Sequence, residues 1–277
     1  MSFGPDLLLG SYSIAGVPPP QRYAAAVAAG FEGASVIWHE ITARRAAGET
    51  LAAMNAELRD AHIAAPQLEI IRLPGRAGLS GFAAEARDIA ETAAALGCVV
   101  VQAAALDPTA SYDDLVEGFG LLSQACAKEG LCCGIEFVPF LTGVPDLEGA
   151  VSLVHAVGQS NAGVVVDSLH FFRSGEPWDA LADLKPGEVV AIQVNDGPTA
   201  RPTEDYRAEA MGLRQLPGDG QFDLTRFLDV LESHGAMVPL TAEVVSHELD
   251  ALPPDEAARR MADSLRRLAA GRASAAT

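Results

Sequence analysis

At 277 residues, with 49% hydrophobic and 20% charged side chains, the chain has the composition of a globular protein with a sizeable core. A formal net charge of −18 argues against nucleic acid or an anionic membrane as partner, because both need basic surface. No apolar run approaches a membrane span, and MSFGPDLLLG lacks the basic start of a signal peptide, so a soluble cytoplasmic protein is expected.

Short apolar, β-branched segments alternate with longer alanine-rich segments of helical period. In chain order, LLLGSYSIAG near residue 7 reads as a strand and PQRYAAAVAAG as its helix. GASVIWH near 33 leads to LAAMNAELRDAH, and PQLEIIRL near 66 to GFAAEARDIAETAAALG. CVVVQAAA near 98 precedes SYDDLVEGFGLLSQACAKEG, and LCCGIEFV near 131 precedes DLEGAVSLVHAVG. GVVVDSLH near 163 is followed by a short PWDALADL, EVVAIQVND near 188 by DLTRFLDVLESHG, and PLTAEVVS near 239 by PPDEAARRMADSLRRLAAG. Gly30, Gly97, Gly130, Gly158 and Gly235 stand where left-handed helix caps fit, and Pro18–Pro20 and Pro253–Pro254 precede helices.

Eight strands alternating with eight helices in about 250 residues have the dimensions of a (β/α)8 barrel. A doubly wound open sheet would need fewer strands or a second domain. No Pro/Gly/Ser-rich linker divides the chain. It therefore reads as one barrel domain over residues 1–270, with GRASAAT at 271–277 as a flexible tail. The longest connection, from Gly197 to Asp223, has the length of a functional or mobile loop. Cys98, Cys126, Cys132 and Cys133 show no CxxC or zinc-ribbon spacing, and Cys98, Cys132 and Cys133, at the starts of apolar runs, read as reduced core thiols.

A parallel barrel strand is apolar because both faces are buried, so a polar residue near its C-terminal end points into the mouth. Glu136 in GIEFV, Asp167 in VVVDS, Gln193 in AIQVND and Glu243 in LTAEVV hold such positions on the last four strands. Any one alone reads as a turn former, helix cap or satisfied buried group. Three carboxylates together repel one another unless a proton or cation compensates them. Oxygen-rich ligation points to one divalent ion, Mn2+ or Mg2+ in preference to Zn2+.

Taken in order, Glu136, the Asp167-x-x-His170 pair, Gln193 with Asp196, and Glu243 resemble the xylose isomerase-like TIM-barrel superfamily, within it the sugar phosphate isomerase/epimerase group. IEF, VDSLH, IQVND, RQLPGDGQFD and AEV carry the resemblance, which covers nearly the whole chain. It implies that Glu136, Asp167, Gln193 and Glu243 bind one metal and that His170 contacts substrate or a second metal. Relatives usually have His where this chain has Gln193. A neutral amide oxygen should bind metal more weakly, with Asn195 on the same strand face to assist or replace it. Asp196 fits a supporting position behind the ligands.

A divalent ion holding a carbonyl and its neighbouring hydroxyl acidifies the C–H between them through an enediolate. The resemblance implies an isomerase or epimerase of a keto-sugar or polyol-type substrate, with Glu136 and Glu243 moving the proton and His170 orienting a hydroxyl or acting as general acid. A structural histidine is the equal alternative for His170. The same first step fits a lyase of the inosose dehydratase, dehydroshikimate dehydratase or C-glycoside-cleaving type. A non-catalytic sugar-binding barrel is a third reading. Endonuclease relatives bind zinc through many histidines, and the six here, without a basic face, exclude that branch.

Trp38, His39 and Glu69 on strands two and three, Arg214 before the PGDG turn, and Phe171 are further candidates for substrate contact. Arg72, Arg173, Arg207 and Arg214 offer cations for a phosphate. Against that, Phe137, Phe140, Leu141, Phe171 and Phe172 would suit an unphosphorylated sugar or a ligand with an apolar part. The expected partner is a small sugar-like molecule, and relatives are often dimers or tetramers, so a homo-oligomer is compatible with the resemblance.

Overall fold

The computed structural model describes residues 7–275 apart from residue 142. Its strands are β1 (Leu7–Leu9), β2 (Gly33–Ala34), β3 (Val36–Ile37), β4 (Gln67–Arg72), β5 (Val100–Ala104), β6 (Cys132–Glu136), β7 (Ala162–Asp167), β8 (Val189–Val194) and β9 (Leu240–Ala242). Each expected strand segment contains one of them, and GASVIWH contains two. Every pairing is parallel, in the order β2-β1-β9-β8-β7-β6-β5-β4-β3.

The two ends of that ribbon are neighbours in the chain. Only Ser35 separates β2, which pairs with β1, from β3, which pairs with β4. One stave changes partner midway, and the sheet returns on itself as an eight-stave TIM barrel. Side chains hold the seam. The Ser35 hydroxyl accepts from the Ser11 N–H at 2.7 Å and donates to Glu69 Oε2 at 2.8 Å, while the Ser11 hydroxyl donates to the Ser35 carbonyl.

The helices follow their expected segments, including Pro19–Ala29, Leu51–Asp60, Arg76–Ala95, Tyr112–Lys128, Leu147–Val157, Leu224–Ser233 and Pro254–Ala275. All five glycines expected as caps have φ between 65° and 81°, where a side chain would be strained. The last helix carries on to Ala275, and the end of the expected tail, Ala276 and Thr277, lies outside the described residues.

Three stretches differ from their sequence reading. The first strand stops after three residues, and SYSI forms a 3-10 turn over Ser11–Ile14. Gly10 permits this close approach, since a Cβ there would lie 2.8 Å from the Ala242 carbonyl oxygen. Trp38 and His39 open a helix, Trp38–Ala46, rather than ending a strand. A further helix, Tyr206–Ala210, forms inside the long connection after β8.

The strands are buried on both faces, which accounts for their valine-rich sequences. Most of the core lies between the sheet and its helices. Inside the barrel, Val100, Cys132, Val165, Val190 and Ala191 form a separate apolar plug. Two residues further along the same strand faces stand Gln102 and Gln193, and Asp167 and Glu136 also share those faces. Gln193 donates to Gln102 at 3.2 Å, and Gln67 Oε1 accepts from both Gln102 and Thr241 at 3.1 Å. The interior thus changes from apolar plug to amide layer to acids toward the C-terminal ends. All four cysteines are buried, including Cys98, Cys132 and Cys133, which were expected as core thiols.

Candidate active site

Glu136 and Asp167 are the last residues of β6 and β7, and Glu243 follows β9 directly. All three are buried, as is Glu69 on β4. Backbone bonds fix the turn carrying Glu243. The Glu243 N–H donates to the Val194 carbonyl at 3.2 Å, and the Ser13 hydroxyl donates to the Ala242 carbonyl at 3.2 Å while accepting from the Val244 N–H at 2.8 Å.

The Asp-x-x-His spacing has a local cause. Asp167 is the N-cap of the helix Ser168–Arg173, and its Oδ1 accepts from the His170 backbone N–H at 3.2 Å. That cap turns the His170 ring back toward β6, where Nε2 lies 3.3 Å from Glu136 Oε1. The other ring nitrogen, Nδ1, is 2.6 Å from the Tyr206 hydroxyl. One potential ligand atom each from Glu136, Asp167 and His170 lies within 4.8 Å of the other two.

Arg214 enters this cluster from the long connection. Its Nη1 donates to Asp167 Oδ2 at 2.6 Å and to the Glu243 carbonyl at 3.1 Å, and its Nε donates to the Ala210 carbonyl at 2.8 Å. Asn195 Nδ2 donates to both Asp167 oxygens at 3.1 and 3.2 Å. Burial alone would raise the Asp167 pKa, but the Arg214 charge and these bonds hold it below the usual carboxylate value. Burial likewise opposes the Arg214 charge, and Asp167 and Glu243 overcome it.

Glu69 and Glu243 shift the other way. Burial pushes Glu243 well above its ordinary value against the opposing Arg214 charge, with Glu69, Glu136 and Asp167 adding repulsion. Burial also lifts Glu69 to about 8, assisted by Glu136 and opposed by the Ser35 hydrogen bond. Glu243 Oε2, Glu69 Oε1 and Gln193 Oε1 are buried without a hydrogen-bond partner among the described residues. Such orphaned oxygens, together with the clustered Glu136, Asp167 and His170, are the donor set of a cation site. The residues present fit a divalent metal.

The pocket over this cluster has Glu136, His170, Arg214 and Glu243 on its floor. Apolar wall comes from residues such as Leu106, Val138, Phe140, Leu141 and Met211, and the lining also includes Tyr12, Arg72 and Arg207. Of the residues singled out in the sequence, Glu136, Glu243, His170, Arg214, Phe140 and Leu141 line this one cavity, and Asp167 is joined to it through Arg214.

Other expected contacts lie elsewhere. Phe171 is a correction: it is fully buried, with rings of Phe172, Trp178 and Phe227 centred 4.9–5.2 Å away. A helix turns by about 100° per residue, so the position after His170 faces outward to the core. Phe172 stacks on Phe222 at 4.4 Å, also away from the pocket. Trp38 packs against the core, His39 meets Tyr12 with Nδ1 3.4 Å from its hydroxyl, and Glu69 lies in the Ser35 seam, so none of the three lines the pocket. Arg173 is held by Glu209, with Nε and Nη2 at 2.8 and 2.6 Å from Oε1.

Asn195 holds Asp167 rather than replacing Gln193. Asp196 accepts from the N–H groups of Gly197, Gly218 and Phe222 at 2.8–3.0 Å, so it organises the PGDGQF turn. Tyr206, Tyr12 and Ser13 were not singled out in the sequence. The one available signal for Tyr206 is the N-cap Asp205 before a helix-forming YRAEA, within a connection long enough to be functional.

A closed parallel barrel with convergent acids, an imidazole and an arginine at its C-terminal mouth defines an enzyme-like TIM-barrel site. The chain matches the model of the family described as xylose isomerase-like TIM barrel over residues 23–268, and it belongs to that family.

A 3-dehydroshikimate dehydratase of Pseudomonas aeruginosa is 32% identical over 160 residues, which are 57% of this chain and 24% of that protein. An inosose isomerase of Bacillus velezensis is 30% identical over 139 residues, 49% of this chain and 47% of that protein. The chain therefore spans half or less of the length of these relatives. Among solved structures, a xylose isomerase-like TIM barrel/4-hydroxyphenylpyruvate dioxygenase fusion protein superposes with a TM-score of 0.85 at 22% identity. That superposition covers 96% of this chain and 43% of the fusion protein, and it shows the shared fold.

Proposed function

We propose that this protein is a divalent-metal-dependent lyase that removes water from a cyclic polyhydroxy ketone by β-elimination. The observation that carries this reading is His170, held between Glu136 Oε1 at 3.3 Å and the Tyr206 hydroxyl at 2.6 Å, on the floor of a pocket that also contains Glu243. A β-elimination needs a base for the C–H beside the carbonyl and an acid for the departing hydroxyl. Glu243 supplies the first and His170 the second. The longer match to a dehydratase than to an isomerase supports the same choice.

Glu136 and Asp167 would hold the ion, with Gln193 Oε1 and Glu243 Oε2 as further oxygen donors, and His170 would stay off the ion with its Nε2 toward the pocket. When bound, it would supply positive charge to the substrate carbonyl oxygen. A donor set made mostly of oxygens suits Mn2+ or Mg2+ better than a thiolate-type zinc site. Glu243 accepts the proton from carbon, and burial raises its proton affinity above that of an ordinary carboxylate. The electron pair of the C–H bond becomes the new C=C bond as the C–O bond breaks. His170 passes a proton to the leaving hydroxyl, which departs as water, and Tyr206 fixes the ring that delivers it. Arg214 keeps Asp167 ionised and anchors the Glu243 backbone.

An isomerase or epimerase is the second reading, favoured by the presence of two acids, Glu136 and Glu243, around one pocket. In that case the abstracted proton returns to carbon and no water is lost. Incubation of the Mn2+-loaded protein with 3-dehydroshikimate and with an inosose in D2O separates the two by mass spectrometry. The lyase reading expects a product lighter by one water, abolished in Glu243→Gln. Deuterium uptake at unchanged composition would establish the isomerase instead, and no turnover or exchange of either ketone would overturn both.

A further inference from the structure

The pocket lining contains three arginines, and only one of them is engaged. Arg214 is buried and bonded to Asp167, Glu243 and Ala210. Arg72, the last residue of β4, and Arg207, in the helix Tyr206–Ala210, are exposed, and among the described residues neither guanidinium has a hydrogen bond or ion pair.

That is uncommon in a chain with 37 acidic and 19 basic side chains. Arg22 pairs with Glu40, Arg45 with Asp88, Arg173 with Glu209 and Arg272 with Asp229 and Glu232. Arg226 lies over the Trp178 ring at 3.9 Å. Arg59 and Arg87 are also free of ion pairs, but they do not line the pocket.

The floor below these two arginines is acidic, and much of the wall is apolar. A negatively charged ligand group is excluded from the Phe140–Leu141 wall, and wherever no ion compensates Glu136 and Glu243 it is repelled from them as well. The remaining favourable positions in the lining are those of Arg72 and Arg207, whose forked donors suit an oxyanion.

We propose that Arg72 and Arg207 form an anion subsite of the pocket, and that the substrate is a ring polyol or ketone bearing a carboxylate or similar oxyanion. This rests on the pocket being the substrate site assigned above. The subsite would orient the ligand, with its charged substituent on the arginines and its hydroxyl-bearing carbons over Glu243 and His170. It also distinguishes between ligands of one ring size, since a neutral inositol-type ring leaves both guanidiniums unused.

Calorimetric binding without turnover tests this. The probes are myo-inositol, quinate (a carboxylate-bearing ring polyol) and myo-inositol 1-phosphate, with the purified protein at low salt. One or both anions should bind at least about tenfold more tightly than myo-inositol, in line with the strength of charge-assisted hydrogen bonds. The double variant R72Q/R207Q should lose that preference while Arg226→Gln retains it, with unchanged circular dichroism in both. Tighter binding of quinate than of the phosphate assigns a carboxylate, and the reverse order a phosphoryl group. Equal binding of the neutral and charged rings, absence of binding by both anions, or a preference that survives in R72Q/R207Q overturns the proposal. Failure of the elimination chemistry would leave these binding ratios unchanged, so the two readings fail separately.

Discussion

At the scale of single residues, the site is governed by how four buried carboxylates share one buried arginine. Asp167 takes the Arg214 contact and is stabilised as an anion, whereas Glu69 and Glu243 are left with raised proton affinity. Glu69 shows the consequence most directly, at about 8 against an ordinary 4.5. As pH rises between these values, the unfolded chain loses a proton that the folded chain keeps. Folding stability must then fall with pH across that window. In metal-free protein, Glu69→Gln should flatten this decline, by a few kcal/mol in all, as read from urea midpoints at about pH 5 and 8. A second prediction concerns the imidazole. His170→Gln should lower kcat by about 10²–10⁴-fold, the usual range for a general acid. Tyr206→Phe should cost about tenfold with KM little changed, because it removes only the partner that orients the ring.

Legibility at this scale followed chain locality. Glu136, Asp167 and Glu243 were readable because a charged residue at the end of an apolar strand has few places to go. His170 was readable from its spacing to Asp167, which is the N-cap geometry of a short helix. Phe171 was misplaced because its neighbour faces the pocket and helical rotation then carries it to the core. Tyr206 was invisible because it reaches His170 across 36 residues.

At the scale of elements, the long connection after β8 is the most informative segment. Read as sequence it is a loop with a PGDG turn. Folded, it contains the Tyr206–Ala210 helix, places Arg207 in the pocket lining, inserts Arg214 into the acid cluster and returns through a turn gathered by Asp196. Three backbone N–H groups donate to Asp196, so Asp196→Ala leaves them without their acceptor. The substitution should destabilise the protein by about 2–3 kcal/mol. It should also accelerate amide exchange at Gly218 and Phe222 well before the barrel strands, measurable by hydrogen–deuterium exchange. Uniform loss of protection throughout the barrel would show that the connection is not a separable unit.

On the whole-molecule scale, barrel closure depends on small residues as much as on apolar ones. A Cβ at Gly134 would lie 2.7 Å from both Val165 Cγ2 and Val190 Cγ2, inside the plug. At Gly163 it would lie 2.6 Å from the Glu188 carbonyl oxygen and 2.7 Å from Val190 Cγ1. Gly134→Ala should therefore cost about 1–3 kcal/mol by overpacking. Gly163→Ala should cost more, because its nearest obstacle is backbone rather than a side chain that can rotate. Thermal denaturation of the two variants gives the ranking, and equal stabilities would contradict it.

The order of strands and helices, the left-handed caps at five glycines and the polar residues at four strand ends were determined by sequence alone, since each depends on local periodicity, conformational freedom or burial of one short segment. Tertiary structure decided which of those groups meet. It split one stave at Ser35, kept Phe140 and Leu141 of the expected apolar wall while sending Phe171 and Phe172 to the core, and brought Tyr206 and Arg214 from a distant connection onto His170 and Asp167. It also used the amide of Gln193 in the interior layer while leaving its oxygen free. Those outcomes rest on closing a barrel, which sets side chains from separated segments within bonding distance and removes the water that would otherwise satisfy them.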